Sequence, residues 1–244
     1  MRVWEIARDQ PRPGAAALNF LRELRPPGSS ALRCAAYSSD GELLAASGDS
    51  AEILIFEQAA NSRSSLAIPD AHRGPITAMA FTPTTPPLLA TASRDATLKV
   101  WEPLAGLRLD TKNVGGPLLT LAYSPDVDPA PKLLAAAGER RVVNAWDTRN
   151  RNETDLARGH PRAVRSLAFS PDGLIFATGC DDGVVRLCDS VTSQIVLSLE
   201  GHLSPVNQTA FSPDASVLAS CGDDGAVLLW RAGPPEPSPG ASQP

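Results

Sequence analysis

Residues 71–102, AHRGPITAMAFTPTTPPLLATASRDATLKVWE, hold the pattern from which the rest of the chain is read. Ile76, Ala78 and Ala80 alternate with Thr77, Met79 and Phe81, which suits a half-buried strand. Thr82-Pro83-Thr84-Thr85-Pro86-Pro87 ends it, because proline has no N–H to give to a neighbouring strand. Leu88 to Ser93 is a second apolar run. Arg94-Asp95-Ala96 is a tight connection, and Thr97 to Trp101 is a third strand. Leu107 to Asp110 can supply a fourth.

The unit recurs. Phe81 is matched by Tyr37, Tyr123, Phe169 and Phe211, and Trp101 by Phe56, Trp146, Cys188 and Trp230, at spacings of 42 to 46 residues. Four short strands in such a period are the pattern of a propeller blade. Gly159-His160 and Gly201-His202 precede two copies, and Trp146-Asp147 closes another. Together these features resemble the WD40-repeat family over roughly residues 30–231. The resemblance implies an all-β, WD40-type β-propeller of five four-stranded blades, as a closed or an open ring. The blades are expected at 30–70, 71–113, 114–158, 159–200 and 201–231.

Residues 1–29 read as the remnant of a further blade, since MRVWE matches Lys99-Val100-Trp101-Glu102, followed by a Pro-rich loop. A chain that opens in mid-blade is expected to be a fragment or short isoform of a larger repeat protein. Ala17 to Leu24 is the stretch available to close a five-bladed ring, by adding a fourth strand to the last blade. Residues 232–244, AGPPEPSPGASQP, have nothing to pack and are expected to be disordered.

Composition narrows the classes. A hydrophobic fraction of 43% can supply a core, and a net charge of -5 argues against general nucleic-acid binding. No apolar run reaches membrane-spanning length, and no charged-then-apolar leader opens the chain. A cytoplasmic protein is expected, with nuclear, centriolar or ciliary locations left open. Cys34, Cys180, Cys188 and Cys221 show no CxxC spacing, so zinc is not indicated. They fit small core residues in a reducing compartment. Asp181-Asp182-Gly183 and Asp223-Asp224-Gly225 lack the further ligands of a calcium loop and read as hairpin turns. No cofactor, metal or small-molecule substrate is expected.

His72, Ser93, Asp95 and Trp101 are the residue types that the resembled family links into a buried hydrogen-bonded chain. An indole donates, a hydroxyl and an imidazole do both, and a carboxylate accepts. The copies thin out. His160 and Asp182 remain in repeat four, beside Cys180 and Cys188. His202, Asp224 and Trp230 remain in repeat five, with Gly222 at the serine position. Repeat three has Arg140 at the aspartate position, and repeat one has Ser50 and Phe56. Repeat two is therefore expected to carry the one complete set. All three histidines sit at the repeat's fixed position, which leaves none as a catalytic base, and no enzyme is expected.

The resemblance implies a protein-interaction scaffold that binds other proteins through loops at one face. Those loops hold Arg73, Arg94, Arg140, Arg141, Arg162, Asp181, Leu203 and Asp223. Arginines there suit acidic or phosphorylated partners. Two alternatives stay open. Trp146-Asp147-Thr148-Arg149 matches the WDxR signature of substrate receptors that dock on a cullin ubiquitin-ligase adaptor. By analogy with long multi-propeller proteins that resemble this family, a structural part of a centriole, cilium or microtubule assembly is the other.

Overall fold

A computed structural model of the chain describes residues 2–6, 18–23, 31–57, 65–125, 132–150 and 152–231. Every regular element among them is a strand. The expected disorder of residues 232–244 falls outside the described residues.

Five antiparallel sheets follow one another along the chain, each ordered as it is in sequence. They are preceded by a hairpin of β1 (Arg2–Ile6) and β2 (Leu18–Glu23). Blade one holds β3 (Leu32–Tyr37), β4 (Leu43–Gly48), β5 (Ile53–Glu57) and β6 (Ser65–Ile68). Blade two holds β7 (Ile76–Phe81), β8 (Leu89–Ser93), β9 (Thr97–Glu102) and β10 (Leu107–Asn113). Blade three holds β11 (Leu118–Tyr123), β12 (Leu133–Gly138), β13 (Val143–Asp147) and β14 (Glu153–Ala157). Blade four holds β15 (Val164–Phe169), β16 (Ile175–Cys180), β17 (Val184–Asp189) and β18 (Ile195–Glu200). Blade five has three strands: β19 (Val206–Phe211), β20 (Val217–Gly222) and β21 (Val227–Arg231).

The first strand of each blade lies against the first strand of the next. Tyr37, Phe81, Tyr123, Phe169 and Phe211, one from each blade, come together around a single opening of about 430 Å3. The sheets are thus set around one axis.

Second strands explain the packing. β4, β8 and β12 are buried along their whole length, and β16 along nearly all of it. Each is buried on both faces, so its residues are apolar and small without alternation. Leu43, Ala45, Ile53 and Ile55 of blade one pack on Ile76, Leu89 and Trp101 of blade two. Leu133, Ala135 and Val143 of blade three meet Val164, Phe176 and Cys188 of blade four in the same way. The outermost β10, by contrast, exposes Leu107, Arg108 and Leu109 and carries charges.

Hydrogen bonds also tie blades at the inner ring. Thr77 Oγ1 donates to the Leu118 carbonyl at 2.9 Å, and the Ser166 and Thr209 hydroxyls meet at 2.7 Å. Two second strands end where no side chain fits. A Cβ on Gly48 would lie 1.9 Å from the Ala31 carbonyl oxygen, and one on Gly138 2.1 Å from that of Pro117.

One expectation is corrected. The stretch proposed as a closing strand forms β2, but β2 pairs with β1 and not with blade five. One edge of β2 is already engaged by the β1 backbone, in a register that sets Arg2 opposite Glu23 and Ile6 opposite Leu18. The edge of β21 is left without a partner strand among the described residues.

Candidate functional site

The polar chain in blade two links the loop before β7 to β8 and β9. His72 is buried, with Nδ1 3.0 Å from Asp95 Oδ2 and Nε2 2.8 Å from Thr91 Oγ1. A carboxylate only accepts, so Nδ1 carries the proton and Nε2 accepts one from Thr91. Trp101 Nε1 donates to Thr91 Oγ1 at 2.9 Å. The direction is then fixed: Trp101 gives to Thr91, Thr91 to His72, and His72 to Asp95. Burial holds the His72 pKa below its ordinary value, although Asp95 opposes it, which agrees with a neutral ring. Asp95 also accepts from the Arg73 N–H, the Thr97 N–H and the Thr97 hydroxyl. Burial would raise its pKa, but these donors and His72 bring it to about 2.

The hydroxyl in this chain is Thr91, not Ser93. Ser93 instead donates to the Gly74 carbonyl at 3.0 Å and accepts from the Asp95 N–H. It shapes the turn, two residues beyond the relay. The physical reason is register: Leu89 opposes Trp101, so the indole reaches one same-face residue along β8, to Thr91.

The same shift changes the reading of blade five. Ser220 stands where Thr91 does, accepts from Trp230 Nε1 at 2.9 Å and meets His202 Nε2 at 2.8 Å. His202 Nδ1 reaches Asp224 at 2.9 Å. Blade five therefore carries a full set despite Gly222. That glycine is required, because a Cβ there would crowd the Pro205 carbonyl, the His202 ring and Asp224.

Blade four is half-wired. His160 Nε2 meets Thr178 Oγ1 at 2.9 Å, but Asp182 is taken by Arg186, at 2.6 and 3.2 Å. His160 Nδ1 is buried with no partner among the described residues. Burial, reinforced by the Arg186 charge and only partly offset by Asp182, lowers the His160 pKa to about 4. Cys188 fills the tryptophan position, and burial pushes its thiol up to about 12.

Blade three has lost the chain. Trp146 Nε1 is buried without a partner among the described residues, because Ala136 occupies the hydroxyl position. Arg140 lies where the aspartate would be, and its Nη1 donates to the Val114 carbonyl at 2.6 Å. We expect Ala136→Ser to raise the unfolding free energy by about 1 kcal/mol, the net worth of one new buried hydrogen bond. Urea titration at neutral pH checks this. A midpoint that stays put or falls would mean that Trp146 is already satisfied or that the site has no room.

The loops at the histidine end surround a cavity of about 720 Å3 lined by Arg33, Arg94, Glu139, Arg165 and Asp181, among others. Arg165 pairs with Asp181 and reaches Asn207 at 2.9 Å and Asp223 at 3.4 Å. Arg33 pairs with Asp49, and Arg94 lies 3.7 Å from Glu139. Asp181 and Asp223 are thus engaged within the mouth. Arg73, Arg141 and Arg162 are exposed with no ion pair among the described residues, and Leu203 is 92% exposed. Sequence reading misses Arg33 and Arg165. Their signal is position, since both are the second residue of a first strand, as are Thr77 and Asn207.

Arg149 turns back on its own loop. Its Nη2 donates to Asp147 Oδ2 at 2.9 Å and its Nε to Oδ1 at 3.2 Å, so Trp146, Asp147 and Arg149 act first as a local turn. Among the described residues no group of three or more His, Cys, Asp and Glu is placed to hold a metal ion, and no helix is long and apolar enough to cross a membrane.

Comparison with known proteins agrees with this geometry. The family model "WD domain, G-beta repeat" matches residues 63–102, 153–189 and 193–231. Each match ends at the third strand of a blade that has the histidine. The chain is 32% identical over 143 residues to a ribosome biogenesis protein YTM1 of Scheffersomyces stipitis, covering 56% of this chain and 30% of the relative. It is 32% identical over 125 residues to a guanine nucleotide-binding protein subunit beta of Solanum tuberosum, covering 48% and 32%. To an Arabidopsis thaliana guanine nucleotide-binding protein subunit beta it is 28% identical over 166 residues, covering 63% and 43%. The matched parts span less than half the length of each of these relatives. With five sheets set about one axis and the repeat matched at three places, the chain is a WD40-repeat protein.

Proposed function

We propose that the chain is a non-catalytic scaffold that binds partner proteins through the loop face bearing Arg73, Arg141, Arg162 and Leu203. One observation carries this reading. The three histidines are buried, whereas these four stand exposed on the loops at the histidine end, the arginines with no ion pair among the described residues. His72 and His202 have both ring nitrogens engaged and lie buried, so neither offers a base to a substrate. Loops on a rigid frame are where recognition residues can vary without cost to the core. Exposed arginines favour acidic or phosphorylated segments, through paired N–H donors. One relative is by name a ribosome biogenesis protein and another a subunit, and service within a larger assembly fits that company. Four free cysteines suit a reducing compartment inside the cell, cytoplasmic or nuclear.

The test is capture of partners from cell extract, with the strongest remeasured as a purified pair. Changing Arg73, Arg141 and Arg162 together to alanine should weaken that pair at least about tenfold, with unchanged thermal unfolding. Equal binding by the triple variant would remove the loop face as the site. Docking on a ligase adaptor through Trp146, Asp147 and Arg149 gains no support, since Arg149 closes on Asp147. No observation favours a centriolar, ciliary or microtubule assembly.

A further inference from the structure

Blade five is open in two directions at once. Its third strand, β21, pairs with β20 and with no other strand among the described residues, so one edge shows unpaired N–H and C=O groups. Its outer face is also bare. Pairing sets Val227 opposite Cys221 and Leu229 opposite Ala219, which puts these four on the same face as Val217.

The equivalent positions elsewhere are the ones that bury against the next blade. Ala45, Ile53 and Ile55 of blade one, and Ala177 and Val185 of blade four, are at most 1% exposed. Val227 and Leu229 are 68% and 63% exposed. An internal strand has been left at the surface with an interior composition. By contrast, β10 carries Arg108, Asp110 and Lys112, the charges that normally protect an edge.

We propose that β21 pairs antiparallel with β21 of a second copy of this chain, about a two-fold axis at Leu229, giving a dimer with a six-stranded sheet. Three observations favour a second copy in this arrangement. Residues 226–230 carry no ionisable group, so two identical strands meet without repulsion. The one charge on the strand, Arg231, falls at opposite ends of the pair, about 14 Å from its mate at the rise of an antiparallel strand. The face of blade one that would receive a head-to-tail neighbour is closed, with Leu44, Leu54 and Phe56 at 3%, 2% and 6% exposure. A contact about this axis is isologous, and such a contact stops at two copies. Leu229 then meets Leu229 of the partner subunit on the bare face.

Light scattering of the 244-residue chain at about 10 µM tests this, in the range of ordinary transient dimers. The wild type should have the mass of a dimer. Leu229→Lys should have the mass of a monomer, with the same circular dichroism. Val227→Lys, equally exposed, should behave alike and covers a failure of the first variant to fold. Val196→Lys, on the exposed outer strand β18, should remain a dimer. A monomeric wild type, an open-ended series of masses, or a dimer dissolved by Val196→Lys and not by the β21 variants would each overturn the proposal.

Discussion

Thr91→Val lowers the unfolding free energy by about 3 kcal/mol, because it orphans two buried groups while keeping the side chain's shape. Valine has the same branching, so the strand and its packing persist. What goes is the one oxygen that accepts from Trp101 Nε1 and donates to His72 Nε2. Both partners lie in the interior, with Trp101 at 4% and His72 at 4% exposure, and no water can replace the lost contacts cheaply. Ser93→Ala, which touches the turn alone, should cost about 1 kcal/mol. Urea denaturation of the two variants settles the order. If Ser93→Ala were the costlier, the relay would run through the turn. A cycle with Trp101→Phe adds a second check. The indole's loss should cost less once Thr91 is valine, since its N–H is then already unpartnered.

Acidification from pH 6.5 to 4 removes about 3 kcal/mol of stability through His160 alone. The folded pKa of about 4 lies below the ordinary 6.5, chiefly because the ring is buried and secondarily because Arg186 is near. As pH falls through 6.5, the unfolded chain binds a proton that the folded chain refuses. This group's contribution to stability is therefore full well above pH 6.5, declines between 6.5 and 4, and levels off below pH 4. Unfolding midpoints measured across this range should fall steeply for the wild type. His160→Gln retains a donor and acceptor without the titration, and should flatten the slope. An equal slope in both proteins would place the acid sensitivity elsewhere.

Much of the fold was legible because repetition multiplies a faint signal. One strand pair with alternating residues says little, but Phe81 echoed by Tyr37, Tyr123, Phe169 and Phe211 fixes a period. Histidine and aspartate positions were legible for the same reason. The hydroxyl was not, since Thr91 and Ser93 are both plausible donors on one strand and only cross-strand register chooses between them. A regularity existed all the same. Thr91, Thr178 and Ser220 each stand ten residues before the aromatic position, at Trp101, Cys188 and Trp230. The arginines at the mouth were less legible, because Arg33 and Arg165 meet their carboxylates across strands and, for Asp223, across blades. The β1–β2 pairing was hidden by the length of the connection between them.

The tight ends of the second strands bear on how this chain can be remodelled. Ser93 in blade two has room for its side chain, yet its counterparts Gly48 and Gly138 face a backbone oxygen at about half of contact distance. A segment transplanted from blade two into blade one or three would bring a serine into that oxygen's place. Homologous modules here have diverged into custom-fitted seats. Chimeras that exchange whole blades together with the loops preceding them should assemble, while exchanges confined to the second strand should not.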